Sequence, residues 1–133
     1  MARPMPGFEV YKESFWAGAH FLRYKDGSAA ETMHGHNWRV RFYIKCTHRD
    51  EKDLVVDFFD MDRELLKVRD RFHFKVVNEV APFDRLSPSA ENLANYFLQE
   101  LGKVFDTDRT WVSRVMVWEL HDSVAIVESD RKG

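Results

Sequence analysis

The sequence predicts an α+β fold, in which a four-stranded antiparallel sheet carries two helices on one face in the order ββααββ. Apolar and charged residues alternate through 37–47 and again through 110–120, which is typical of half-buried strands. Between these strands, two segments repeat their apolar residues at helical spacing. Strands at both ends of the chain with helices between them indicate two layers with the core between sheet and helices.

Length and composition narrow the class of protein. The chain has 133 residues, of which 44% are hydrophobic, so we expect residues 1–133 to form one domain with a packed core. A net charge of −2 argues against nucleic acid as a partner. No apolar run approaches the roughly 20 residues that cross a bilayer, which argues against a membrane span. A single cysteine, Cys46, and an N-terminus without a secretory pattern predict a cytoplasmic protein.

The first half of the chain is expected to supply the two long strands. The aromatic-rich segment 8–21 predicts a strand that is bulged near Gly18, and 23–30 predicts a polar loop. Segment 54–58 is either a short strand or the direct entry into a helix. The strand at 37–47 places four large apolar side chains on one face: Trp38, Val40, Phe42 and Ile44.

The helices follow in the middle of the chain. Apolar spacing predicts the first over 60–72, and 73–86 reads as a connecting loop. The second begins at a cap provided by Ser87 or Ser89, with Pro88 suited to its first turn.

Two strands are expected to close the sheet, over 110–120 and 124–128. Such a sheet leaves its edges open, and open edges often pair with copies of the same chain. We therefore expect a symmetric homo-oligomer. One face of the penultimate strand is predicted to carry Trp111, Val115, Val117 and Glu119.

Histidines suggest a metal site at one end of the sheet. His34 and His36 flank Gly35 at the start of a strand, so an extended backbone puts both imidazoles on one face. His20 ends the neighbouring strand, and antiparallel pairing would bring it to them. Three histidines with an open fourth position are typical of a catalytic zinc site. The alternative is that a His-x-His pair is merely a pair of exposed polar residues.

Four motifs together resemble the 6-pyruvoyl-tetrahydropterin synthase / 6-carboxytetrahydropterin synthase family. They are His20 with the His-Gly-His-Asn-Trp stretch at 34–38, Val-Asp-Phe at 56–58, Pro-Ser-Ala-Glu-Asn-Leu-Ala at 88–94 and Val-Met-Val-Trp-Glu at 115–119. They stand in the family's order, and the resemblance covers about residues 8–127.

The resemblance implies the tunnelling fold (T-fold), which assembles into hexamers or other ring-based homo-oligomers. It implies Zn2+ held by His20, His34 and His36. It also implies that Glu119 anchors a small-molecule pterin, and a carboxylate suits two adjacent N–H donors of the ring. Without the resemblance, Glu119 would read as an exposed strand residue.

The chain departs from the family at two places. Where cysteine-using members carry their cysteine, this chain has Ala30, but the adjacent Glu31 gives a Glu-x-x-His-Gly-His motif similar to the type III subgroup. A carboxylate near zinc can act as general base, so Glu31 is a candidate catalytic residue; the alternative is a solvated loop charge. Cys46 lies too far along the strand to replace the missing cysteine.

The second departure concerns the family's Asp-His pair. Ungapped alignment puts His73 and Phe74 there, so the pair is missing. His73, or His121 two residues beyond Glu119, could supply a catalytic imidazole. The alternative for such histidines is a structural hydrogen bond.

The resemblance therefore predicts a zinc-dependent lyase that acts on 7,8-dihydroneopterin triphosphate or a related pterin. Retro-aldol cleavage of the C6 side chain would give 6-hydroxymethyl-dihydropterin for folate synthesis. The helix N-terminus near Ser89 and Glu91 is expected to help bind the substrate. The alternatives are the 6-carboxytetrahydropterin synthase of queuosine synthesis and a non-catalytic zinc or pterin binder.

Overall fold

The computed structural model describes residues 5–130, which form one sheet covered on one face by two α-helices. The order of elements agrees with the predicted α+β architecture. They are β1 (Glu9–His20), β2 (His34–Cys46), α1 (Phe58–Arg69), β3 (Lys75–Val76), α2 (Ala90–Phe105), β4 (Thr110–Leu120) and β5 (Ser123–Glu128).

The sheet has five strands in the order β3-β1-β2-β4-β5, so the predicted count of four is wrong by one. The additional strand is β3, which pairs in parallel with Gly18 and Ala19 of β1. This strand is only two residues long and lies in the segment 73–86, which was expected to be a loop. A strand this short shows no alternation of apolar and polar residues in the sequence. Each of the four predicted strands pairs antiparallel with its neighbours among these four in the sheet.

The pairing of β1 with β2 determines which residues meet at the end of the sheet. The two strands run in register without interruption from Glu9, opposite Lys45, to His20, opposite His34. His20 and His34 therefore form the last pair, and His36 pairs with Gly18.

The core lies between the sheet and the helices, and the alternation of β2 is confirmed by its burial. Trp38, Val40, Phe42 and Ile44 are fully buried. The indole rings of Trp38 and Trp16 stack with centroids 5.3 Å apart and nearly parallel planes. The Trp38 Nε1 group donates to the carbonyl oxygen of Gly18 at 3.1 Å, so this large side chain is fixed beneath the histidine end of the sheet.

Both helices begin at a side-chain cap. Asp57 accepts a hydrogen bond from the Phe59 backbone at 2.8 Å, so 54–58 is a direct entry into α1, which begins at Phe58 rather than at residue 60. Ser89 caps α2 by accepting from the Asn92 backbone at 3.1 Å. Pro88 therefore precedes the cap and is not part of the helix.

The predicted face of β4 is wrong at one position. The pairing with β2 shifts between Tyr43 and Ile44, where Ser113 is an extra residue on β4. Because of this bulge, Val112 is buried and Trp111 turns away from the face that carries Val115. Neither helix in residues 5–130 is long and apolar enough to cross a membrane.

Candidate metal centre

Three imidazoles converge at the end of the sheet at which β1 terminates and β2 begins. The ring centroid of His20 lies 4.8 Å from that of His34 and 5.2 Å from that of His36, and the last two are 4.7 Å apart. With Glu119 of β4, these side chains offer four ligand atoms within 4.8 Å of one another. The strand register thus brings together the histidines that the sequence singled out.

Backbone carbonyls orient two of the imidazoles. Nδ1 of the fully buried His20 lies 2.8 Å from the Pro88 carbonyl oxygen, and Nδ1 of His34 lies 3.0 Å from that of Thr32. A carbonyl oxygen can only accept, so each Nδ1 carries a proton, and in the neutral ring Nε2 then keeps its lone pair for another partner. This tautomer is the one that an Nε2 metal ligand requires.

The Nε2 atoms of His20 and His36 are buried without a hydrogen-bond partner among the described residues. Glu119 Oε1 lies 3.0 Å and 3.3 Å from them, but off the hydrogen-bonding directions. Unsatisfied buried nitrogens are costly in a protein that binds nothing there.

This donor set fits a divalent cation such as zinc. Tetrahedral ligands at about 2.1 Å from zinc lie about 3.4 Å from one another, close to the spacing between Glu119 Oε1 and the two nitrogens. Neutral imidazoles and a carboxylate are ordinary zinc ligands. The cluster can therefore hold a metal ion.

Burial favours the metal-binding form of His36. Desolvation lowers its pKa below the ordinary 6.5, and the neighbouring His20 and His34 act in the same direction, whereas the carboxylates of Glu119 and Glu31 oppose the shift. A ligand imidazole must be neutral, so this environment suits metal binding near neutral pH.

Glu31 lies beside the cluster but outside the group of four ligand atoms. Its Oε2 accepts a hydrogen bond from the Leu22 backbone at 3.2 Å and lies 3.5 Å from Nδ1 of His34. The carboxyl group is about one-third exposed. It is thus held at the edge of the site, where a substrate could reach it.

The structure separates the other two candidate catalytic histidines from the cluster. Nδ1 of His73 accepts a hydrogen bond from the Ala17 backbone at 3.2 Å, and the ring stacks on Phe74 at 3.8 Å between centroids. His121 is exposed in the turn between β4 and β5, not on the strand face of Glu119 as expected. Within one chain, neither joins the metal-competent group.

The predicted substrate-binding carboxylates share one cavity. Glu91 at the start of α2 and Glu119 at the end of β4 line about 360 Å³ of space. Ala90 and 123–125 complete its walls. The Ser89 hydroxyl serves as the cap of α2, so its local role is to place Glu91 and the backbone N–H groups of this turn.

A second cavity, of about 490 Å³, was not expected from the sequence. Segments 17–19, 35–37 and 74–76 line it. Among the lining residues, Phe74 is 81% exposed and has a φ of 60°, which is strained for a residue with a side chain. The small residues of the first two segments were the only sequence signal for this space.

The fold and the site together define a tunnelling-fold protein with a histidine cluster able to hold a metal ion. A family model described as 6-pyruvoyl tetrahydropterin synthase matches residues 9–130. The chain therefore belongs to this family, a lyase family that acts on pterins and whose members bind a metal. No curated protein matches the chain in sequence.

Solved structures agree in fold at low sequence identity. The 6-pyruvoyl tetrahydropterin synthase of Caenorhabditis elegans superposes with a TM-score of 0.82 at 18% identity, covering 97% of this chain and all of that one. The enzyme from Plasmodium vivax gives 0.74 at 20% identity, with 96% and 100% covered. A P. vivax variant, in which a glutamate described as a catalytic residue is replaced by cysteine, matches with the same four values.

Proposed function

We propose that this protein is a zinc-dependent lyase that cleaves the C6 side chain of 7,8-dihydroneopterin triphosphate or a closely related pterin. The observation that carries the proposal is the convergence of His20, His34 and His36 beside a cavity that contains Glu119. Two of their Nε2 atoms are buried and have no hydrogen-bond partner in residues 5–130. Family membership supports a tetrahydropterin synthase-like activity.

The ring of the substrate would bind in the cavity of Glu119 and Glu91. A carboxylate can accept from two adjacent N–H groups of the amino-pyrimidinone edge in a bidentate, charge-assisted pair. Glu119 is about one-third exposed and is adjacent to both buried Nε2 atoms, so a ring held by it would lie beside the histidine cluster.

The chemistry requires a base at the side-chain hydroxyl groups. When bound, zinc would supply positive charge that stabilises negative charge developing on those oxygens. Glu31 would remove the proton from one hydroxyl. The carbon that carries this hydroxyl would then become a carbonyl as the carbon–carbon bond between it and the carbon attached to the ring breaks. The carbon left on the ring would take up a proton to give 6-hydroxymethyl-dihydropterin.

Two observations support Glu31 as the base. Its carboxyl group is fixed by Leu22 at the edge of the cluster, only 3.5 Å from the ring of His34. The P. vivax relative carries a glutamate that is described as a catalytic residue, and the present chain has no cysteine beside His34.

We also propose that the protein works as a homo-oligomer. The helices cover one face of the sheet, while aromatic side chains including Tyr11 and Phe15 are exposed on the other. The outer edge of β5 has no partner strand among the described residues. A ring of identical subunits would cover both features.

Incubating zinc-loaded protein with 7,8-dihydroneopterin triphosphate and identifying the products by mass spectrometry tests the proposed reaction. We expect 6-hydroxymethyl-dihydropterin, and none in a sample treated with a chelator. A 6-carboxy-tetrahydropterin product would indicate the queuosine-pathway activity, whereas tight binding without turnover would indicate a pterin-binding protein. Either result would overturn the proposed reaction.

A further inference from the structure

Beyond the cluster itself, the backbone that follows His20 is held by two side chains that the proposed chemistry does not use. His20 is the last residue of β1, and past it the chain has left its ladder with β2. A metal ligand at the end of a strand needs support from elsewhere if its ring is to keep one orientation.

Asn78 provides the first support. Its side-chain oxygen accepts from the Phe21 backbone N–H at 2.9 Å, and its side-chain nitrogen donates to the Phe21 carbonyl oxygen, also at 2.9 Å. A single amide thus replaces a β-ladder partner for the residue directly after His20. Asn78 is only 4% exposed, so these two hydrogen bonds are shielded from water.

Ser87 provides the second support. Its hydroxyl accepts from the Arg23 backbone N–H at 2.9 Å, and its carbonyl accepts from the side chain of Asn92 in α2, also at 2.9 Å. Pro88, the next residue, supplies the carbonyl that binds Nδ1 of His20. Ser87 therefore joins the exit of β1, the first turn of α2 and the carbonyl that orients the His20 ring.

We infer that Asn78 and Ser87 are positioning residues for the metal ligand His20. This inference rests on the metal centre of the proposed function but adds residues to which that proposal gives no role. The two side chains hold the backbone on the C-terminal side of His20, and Ser87 also places the carbonyl that fixes its tautomer. Loosening either support lets the His20 ring move and weakens the hydrogen bond between its Nδ1 and the Pro88 carbonyl oxygen. Metal affinity then falls while the fold persists.

The experiment measures the dissociation constant of cobalt(II) and of zinc by chelator competition, together with the visible absorption of the cobalt-loaded protein. Asn78→Asp keeps an oxygen that can accept from the Phe21 backbone N–H. It loses the N–H group that donates to the Phe21 carbonyl oxygen and places a carboxylate oxygen next to that carbonyl instead. Ser87→Ala removes the acceptor for Arg23. We expect both dissociation constants to rise by about 10-fold in each variant, with altered cobalt bands.

Two further variants distinguish positioning from general loss of stability. Ser87→Thr keeps the hydroxyl and is expected to restore wild-type affinity. Thr110→Val removes a buried hydrogen bond to Phe105 at the far end of the sheet, and should lower the unfolding temperature without changing affinity or spectrum.

The failure of this inference and that of the proposed metal centre give different results. If the wild-type chain binds cobalt but folded Asn78→Asp and Ser87→Ala bind it equally well, with unchanged spectra, the positioning role is overturned while the centre stands. Should Asn78→Asp fail to fold, the comparison of Ser87→Ala with Ser87→Thr decides in the same way. If the wild type binds neither metal, both are overturned.

Discussion

Glu119 Oε1 lies 3.0 Å from Nε2 of His20, although the two residues are 99 positions apart in the chain. β2 pairs with β1 on one side and with β4 on the other, and this arrangement places a carboxylate from the penultimate strand over an imidazole from the first. The contact links the candidate metal ligands to the cavity proposed for the pterin ring.

Removing one of the three imidazoles should abolish tight metal binding. Changes to residues that support a metal ligand typically weaken metal binding by about 10–100-fold. We expect His20→Ala and His36→Ala each to weaken zinc binding by more than this. His48→Ala is the matched control, because His48 is exposed at the opposite end of β2. Isothermal titration calorimetry of the three variants with zinc measures these affinities. A His20→Ala protein that binds zinc like the His48→Ala control would contradict the prediction.

Substituting Glu31 should separate metal binding from turnover. Glu31→Gln keeps an acceptor for the Leu22 N–H but cannot take a proton at neutral pH, so we expect kcat to fall by about 10²–10⁴-fold. Zinc affinity should stay as in the wild type. Steady-state kinetics on the proposed substrate provide the measurement, with the exposed Glu79→Gln as control. Normal turnover by Glu31→Gln would assign the base to another residue.

Two glycines on paired strands should respond differently to a methyl group. A Cβ at Gly18 would lie 3.1 Å from the Trp16 ring and 3.2 Å from the Lys75 carbonyl oxygen, whereas one at Gly35 would meet nothing within 4 Å. We expect Gly18→Ala to lower the free energy of unfolding by about 1–3 kcal/mol. Gly35→Ala should leave it unchanged or raise it slightly. Urea denaturation distinguishes the two, and equal effects would contradict the close packing at Gly18.

Acid should remove one contribution to stability that joins α2 to Arg71, just beyond the end of α1. Hydrogen bonds from Lys103 and from Arg71 lower the pKa of Glu100 below its ordinary value of 4.5. A lowered carboxyl pKa stabilises the folded state fully above the unfolded value, and this contribution is lost as the pH falls through the folded value.

Glu100→Gln should therefore unfold at a lower temperature than the wild type at pH 7, and the difference should shrink well below pH 4.5. Thermal unfolding followed by circular dichroism across this range is the measurement. The exposed Glu51→Gln should show no such pH-dependent difference. A Glu100→Gln deficit of equal size at every pH would exclude the charge of Glu100 as its cause.

The sequence was most informative where one face is buried. Alternation along β2 predicted the burial of Trp38 and Ile44, because a period-two pattern leaves few other arrangements. It could not predict β3, whose two residues carry no pattern, nor the bulge at Ser113, which shifts the alternation of β4 partway along the strand.

The sequence predicted which histidines lie together, but not which residues support them. His20, His34 and His36 follow from the spacing of the histidines together with antiparallel pairing. Glu119 came from the family resemblance alone, since an exposed strand carboxylate has no pattern of its own. The supporting role of Asn78 was not predicted, because it depends on a backbone segment 57 residues away in the chain.

The proposed function requires that one metal ion binds the three imidazoles. Anomalous diffraction from crystals of the zinc-loaded protein, recorded on both sides of the zinc absorption edge, tests it most directly. We expect one strong peak, about 2.0–2.1 Å from a ring nitrogen of each of His20, His34 and His36. Density without an anomalous peak there, with the rings turned apart in zinc-saturated protein, would contradict it.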